Sequence, residues 1–267
     1  MIDAHCHVWT LSNPHCTWPG ADLPAIHRDF SVPDAARLAR PMGVTGCILV
    51  QSQEDAADTD WLLAQAEAYP FVAGVVGWLD MTAPRAAERI LQLRDRNRCL
   101  CGVRPMLQDR PPGWLLDDLA PEVPAAMTAS GLVFEALVRP EHLPSLMALA
   151  RRYPALPIMI DHAAKPQPAS FAVWRAAIAE IAREPNVCCK FSGVVTEAAD
   201  RAHVQAVADT VLEHFGEDRV VWGSDWPVLN LASNYSGWLA LAQRLVPQAL
   251  HHAVFRDNAV RIYGLAI

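Results

Sequence analysis

No stretch of this sequence holds the roughly 18 consecutive apolar residues that a membrane-crossing helix needs. None reads as low-complexity, as a block of like charge or as a flexible linker. A second domain would need such a linker, so a single domain over 1–267 is expected. Basic excess is missing as well. Lys and Arg number 22 against 29 Asp and Glu, and the net charge of −7 argues against nucleic acid as a partner. There is no Cys-x-x-Cys pair, and the cysteines at 6, 16, 47, 99, 101, 188 and 189 are odd in number, which excludes a closed disulfide framework. They suit a reducing compartment. No basic region with an apolar run behind it precedes Asp3-Ala4-His5, so no signal peptide and a cytoplasmic location are expected.

Two catalytic signatures are also missing. Without a Gly-x-Gly-x-x-Gly turn after an early strand, an open doubly wound dinucleotide fold is disfavoured. Without a Gly-x-Ser-x-Gly elbow around Ser224, a serine-hydrolase triad is disfavoured too.

What is present is a chain with 52% hydrophobic residues that alternates short β-branched runs with amphipathic stretches. Strands are expected at 2–7, 45–51, 72–76, 100–104, 132–137, 157–161, 187–192 and 220–223. Between them, helices are expected after Ser31-Val32-Pro33, over 56–69, from Thr82 and Pro84 through Leu93, around 115–130, over 141–152, and on the faces marked by Phe171, Trp174, Ile178 and Ile181 and by Val204, Val207, Val211 and Phe215. Eight apolar strands separated by helices imply a parallel sheet, and eight is the number that closes into a (β/α)8 barrel, also called a TIM barrel. Residues 8–30 have no periodicity and read as a long loop placed to fold over the site.

The segment Asp3-Ala4-His5-Cys6-His7 carries the chemistry. Side chains alternate along a strand, so His5 and His7 face the same side while Cys6 points away. Two convergent imidazoles are a chelate for a divalent cation. In a closed barrel the chemistry gathers at the C-terminal strand ends. The polar residues there are His5 and His7, Gln51 and Gln53, Arg104, Asp161-His162, Ser224-Asp225 and, at a height the sequence leaves open, Lys190.

These pieces resemble the amidohydrolase superfamily, in its branch of metal-dependent barrel hydrolases that contains sugar-acid lactonases. The matching segments are Asp3-Ala4-His5-Cys6-His7-Val8-Trp9, Gly102-Val103-Arg104, Asp161-His162-Ala163-Ala164-Lys165-Pro166, Lys190-Phe191-Ser192-Gly193, Trp222-Gly223-Ser224-Asp225-Trp226-Pro227 and Asn258-Ala259-Val260-Arg261-Ile262-Tyr263-Gly264. The resemblance implies that His5, His7, His162 and Asp225 surround one divalent metal ion, zinc by preference, or the substrate carbonyl in members that dispense with the metal. One departure stands out: Pro105 follows Arg104 where many lactonases of this branch have histidine.

The implied chemistry is hydrolysis of an aldono- or aldarolactone. Asp225 serves as general base, and His162 or Arg104 stabilises the oxyanion. Each residue keeps a plainer alternative. For His162 the alternative is a core histidine bonded to a carbonyl, and for Asp225 a cap on the segment that follows it, but strand-end position and the matched motif favour the functional role of both. Arg104 and Lys165 either hold the substrate or pair with carboxylates under the rim, and Gln51, Lys190 and Trp226 are further substrate-binding candidates. Asp3, in phase with His5, either orients a ligand or accepts backbone bonds. Trp9 and Trp226 either line a sugar cleft or pack. Two rival functions remain: a zinc-dependent nonoxidative decarboxylase, distinguished by loss of carbon dioxide, and a noncatalytic barrel that binds a sugar acid without product. A small-molecule partner is expected, and a homo-oligomer is left open.

Overall fold

The computed structural model describes residues 1–198 and 200–267. Its strands are β1 (Ile2–Cys6), β2 (Gly46–Val50), β3 (Val72–Gly77), β4 (Leu100–Val103), β5 (Val133–Ala136), β6 (Ile158–Ile160), β7 (Val187–Phe191) and β8 (Val220–Trp222). They pair in parallel in the order β1 through β8. The seam between β8 and β1 is drawn together just above the strands: His7 N donates to Trp226 O (2.7 Å) and Asp225 N to His5 O (2.8 Å). The result is a nearly closed (β/α)8 barrel. No helix is long and apolar enough to cross a membrane among the described residues.

The helices are α1 (Val32–Ala39), α2 (Ala56–Ala68), α3 (Ala86–Arg96), α4 (Trp114–Asp117), α5 (Val123–Ser130), α6 (Leu143–Arg152), α7 (Phe171–Ile181), α8 (Val194–Glu197), α9 (Arg201–Phe215), α10 (Tyr235–Leu245) and α11 (Asn258–Tyr263). Several start where a side chain takes an otherwise unbonded N–H of the first turn. Ser31 and Asp34 form a reciprocal capping box on α1, while Asp55, Asp200 and Asn234 cap α2, α9 and α10. The helical material expected around 115–130 is divided into two helices, α4 and α5. Pro121 lies in the break, and a proline supplies no N–H to continue a helix and restricts the residue before it. Residues 140–142 form a separate 3₁₀ turn ahead of α6, because Pro140 and Pro144 each remove a donor there.

Two apolar layers meet at the barrel wall. Outside it, the helices pack on the strands around Trp174, Trp222, Trp238 and Phe134. Inside, Ile2, Ala4, Ile48, Val50, Val133 and Val221 fill the lower barrel, and Tyr263 with Leu265 from the C-terminal segment packs against them. A bulge in β1 sets the site. Asp3 pairs with Cys47 and Cys6 with Leu49, so four residues of β1 stand opposite three of β2. The extra residue breaks the two-residue alternation, so Ala4 belongs to the inner apolar cluster while His5 and His7 join the polar layer above it.

Candidate active site

Above the apolar filling lies a buried charged layer. Lys190 Nζ lies 2.7 Å from Glu135 Oε1, 3.1 Å from Asp161 Oδ1 and 3.2 Å from His5 Nδ1. Arg104 Nη1 donates to Asp161 Oδ2 (3.2 Å), and the Tyr263 hydroxyl donates to Glu135 Oε1 (2.5 Å). Two cations therefore face two carboxylates where no water reaches, and such charges persist only when paired. Burial pushes the Asp161 carboxyl up, but Lys190, His5 and Arg104 outweigh it and hold Asp161 well below the usual carboxylate range. Burial and the neighbouring Asp161 charge push Glu135 up to about 7, against the pull of Lys190 and Tyr263.

On this layer stand the convergent donors. His5 Nε2 and His7 Nε2 are 3.1 Å apart, and Asp225 Oδ1 lies 3.3 Å from His7 Nε2 and 3.7 Å from His5 Nε2. A tetrahedron with metal–ligand bonds of about 2.0–2.2 Å has edges of about 3.3–3.6 Å. The triad's separations of 3.1, 3.3 and 3.7 Å bracket that range, and its donor types suit zinc. His7 Nδ1 lies 2.8 Å from Val50 O, and since a carbonyl only accepts, the proton sits on Nδ1 and the Nε2 lone pair faces the triad. His162 Nε2 stands farther off, 3.9 Å from Asp225 Oδ1, with its Nδ1 against the Ser192 hydroxyl at 2.9 Å. Burial lowers the pKa of His5, helped by Lys190, and also that of His162. Burial pushes Asp225 up, but His162, His5 and His7 overcome it and leave the carboxyl ionised, well below its usual range.

Local backbone aims these groups. His162, Ala163, Ala164 and Lys165 form an uninterrupted left-handed turn, with φ of 50°, 49°, 59° and 53°, and Asp225 is left-handed too at 59°. Each non-glycine residue held so costs about 1–2 kcal/mol. The Trp174 indole N–H bonds Ala163 O (2.6 Å), and Lys165 N bonds His162 O (2.8 Å). Gly193 and Gly223 supply clearance: a Cβ there would lie 2.5 Å from His162 Nδ1 and 2.6 Å from His5 Cβ respectively.

The triad opens into a cavity of about 600 Å³, within the range of small-molecule sites. His7, Arg104, His162, Lys165 and Asp225 line it. Lys165 Nζ lies 3.6 Å from Glu197 Oε1. Three substrate-binding candidates are placed elsewhere. Lys190 is fully buried in the charged layer below, because its position on β7 is one level too low. Gln51 is buried with its side-chain amide donating to Arg104 O (3.0 Å), and its main-chain carbonyl accepts from Arg104 Nη2, so it holds Arg104. Trp226 packs on Phe30 with ring centroids 5.1 Å apart, in the layer outside the barrel, and Trp9 packs on the same ring. Asp3 bonds no ligand imidazole and instead accepts backbone bonds, the second of its two expected roles. The bulge takes it out of phase with His5, and its carboxylate accepts from Ser224 N (2.8 Å), His5 N (3.2 Å) and the Tyr235 hydroxyl (2.8 Å).

The residues that sequence reasoning left without a role are Glu135, Asp161, Ser192 and Trp18. A lone acid between Phe134 and Ala136 in a buried strand was the available signal for Glu135. Trp18, from the 8–30 loop, lines the cavity, and nothing in its local sequence marks it.

The amidohydrolase family pattern matches residues 2–265. The chain belongs to the amidohydrolase family. It is 42% identical to an L-fucono-1,5-lactonase of Burkholderia ambifaria over 277 residues, covering 99% of this chain and 95% of that one. It is 35% identical to an L-fucono-1,5-lactonase of Burkholderia multivorans, over 99% of this chain and 96% of that one. Among solved structures it resembles an amidohydrolase of Burkholderia multivorans crystallised with zinc, with a TM-score of 0.90, 33% identity and 99% of each chain covered.

Proposed function

We propose that this protein hydrolyses a sugar-acid lactone to the open hydroxy acid, with a single catalytic barrel over the whole chain. The observation that carries the reading is the convergence of His5, His7 and Asp225 at the floor of the cavity, in a chain 42% identical to an L-fucono-1,5-lactonase. His5, His7 and Asp225 would hold one divalent ion, preferably zinc, with His162 and Arg104 facing the substrate.

When bound, such an ion polarises a carbonyl and lowers the pKa of a bound water. The chain's own groups do the rest. Asp225, kept ionised by the imidazoles around it, accepts the proton of the attacking water and returns it to the ring oxygen as the C–O bond breaks. His162, braced by the Ser192 hydroxyl, and Arg104, braced by Asp161 and Gln51, face the developing oxyanion. Lys165, set at the cavity wall by the left-handed turn, is positioned for a substrate oxygen. A lactone is an activated ester with a tethered leaving group, so this modest set suffices.

The test is acid release from a panel of aldono- and aldarolactones, followed with a pH indicator, beside Asp225→Asn. Native enzyme should release acid, and the variant should lose about 10²–10⁴-fold in kcat/KM, the usual worth of a positioned base. No release from any lactone by folded, zinc-loaded protein overturns the reading. Carbon dioxide from an aromatic acid would then move the chemistry to decarboxylation.

A further inference from the structure

We infer that Trp18 is the cavity wall that recognises the sugar ring and that Gln53 is the latch that puts it there; the inference rests on the lactonase reading. Residues 8–30 contain neither a helix nor an extended strand, yet they are tied down at every stage. Trp9 and Phe30 exchange both backbone bonds at 3.0 Å, Leu11 N bonds the Asp29 carboxylate at 2.8 Å, and His27 Nδ1 meets Pro19 O at 2.9 Å. The tip of this segment is held by one side chain from the barrel.

Gln53 follows β2 and is buried. Its Oε1 accepts from Thr17 N (2.9 Å), Thr17 Oγ1 (3.1 Å) and Trp18 N (3.2 Å), while its Nε2 donates to Trp18 O (2.7 Å) and Ser52 Oγ (3.0 Å). Both polar atoms of Trp18's backbone therefore end on one amide. The latch is itself mounted on α2: Asp58 Oδ2 accepts from Ser52 N (3.1 Å) and Gln53 N (3.3 Å), and His15 Nε2 of the loop lies 3.8 Å from Asp58 Oδ1.

With its backbone fixed, the Trp18 ring packs at 70° to Trp9, centroids 5.4 Å apart, and stays partly open where it joins the cavity wall with His7 and Asp225. Four strands round the barrel, Leu137 after β5 forms part of the other side. A sugar lactone presents ring C–H groups on its faces and hydroxyls at its edge. The negative face of an indole complements such polarised C–H groups, and its two torsions cost little to order. Trp18 touches no reacting group in this arrangement, so its contribution is equal in the ground and transition states and appears in KM.

The experiment compares native enzyme with Trp18→Ala, Trp18→Phe, Gln53→Ala and the Trp18→Ala/Gln53→Ala pair, on a polyhydroxylated aldono-1,5-lactone and on unsubstituted δ-valerolactone. Trp18→Ala should raise KM for the aldonolactone about tenfold with kcat within about threefold, and Trp18→Phe should recover most of it. The rise should be at least about three times smaller on δ-valerolactone, whose ring carries no hydroxyls to polarise its C–H groups. Gln53→Ala should reproduce the KM rise and speed hydrogen exchange at the Thr17 and Trp18 amides, and the pair should add nothing to Trp18→Ala alone. Unchanged KM in Trp18→Ala, equal losses on both lactones, or additive losses in the pair overturn the inference while leaving lactone hydrolysis in place. Native enzyme inactive on both lactones overturns the lactonase reading and this inference together.

Discussion

Glu135 shows what one residue does when water is withdrawn from it. Its carboxyl is fully buried, shares Lys190 with Asp161, and accepts from Tyr263, and burial with the Asp161 charge raises it from its ordinary value of 4.5 to about 7. A raised carboxyl pKa means that the folded state binds the proton more tightly than the unfolded state. Between about pH 4.5 and 7 this group therefore makes stability fall as pH rises. Urea unfolding of native protein and Glu135→Gln at pH 5 and pH 8 checks this: the variant should lose that part of the slope, and an unchanged slope would refute it. Residue identity alone made part of the site legible. The spacing of His5 and His7, and an Asp following a strand at 225, announce metal-binding chemistry by their types. Lys190 is different, since its type is visible but its depth is not, and depth turns it from a substrate contact into the partner of Glu135 and Asp161.

At the scale of elements, the left-handed turn after β6 and the bulge in β1 do the aiming. No glycine marks the run His162-Ala163-Ala164-Lys165, and alanine by itself favours a right-handed helix. The turn persists because Trp174 from α7 holds Ala163 O and because Gly193 leaves room for the His162 ring. Trp174→Phe keeps most of the packing and removes one buried bond, so it should cost about 1–3 kcal/mol in urea unfolding. It should also lower kcat/KM, because His162 and Lys165 move with the turn. Gly193→Ala should act more sharply on the site. Its methyl would sit 2.5 Å from His162 Nδ1, so the ring must shift and kcat should fall; because Gly193 is left-handed with φ of 62°, the change should also lower stability by about 1–2 kcal/mol in urea unfolding. Retained kcat in both variants would show that the turn does not position the site.

At the scale of the molecule, the seam between the first and last strands decides whether the donors meet at all. His5 and Asp225 are 220 positions apart in the sequence. They are brought together by main-chain bonds across the seam and by Asp3, whose carboxylate serves Ser224, His5 and Tyr235. Asp3→Ala leaves three buried donors without that acceptor and should destabilise the fold by about 3–5 kcal/mol, read as a lower denaturation midpoint. Metal linkage gives a second whole-molecule test. A ligand that binds only the folded state stabilises by about 2.7 kcal/mol at a hundredfold excess over its Kd. Zinc should therefore raise the melting temperature of chelator-treated protein, and Asp225→Asn should blunt that rise, since it removes one of the three convergent donors.

The order of short apolar runs and amphipathic stretches determined the barrel, because strand and helix periods are local properties of a sequence and eight such units have few ways to bury their faces. The histidine pair, the arginine after β4 and the aspartate after β8 were likewise legible from residue type and strand position. Only the tertiary structure decided which polar residues reach the cavity and which lie beneath it. Alternation along a strand says which side a residue faces, whereas its height follows from stagger and bulges, and these arise from how neighbouring strands pair. The same holds for Trp18: a loop without periodicity has no local rule to place it, and its position is set by Gln53, which lies 35 residues away in sequence.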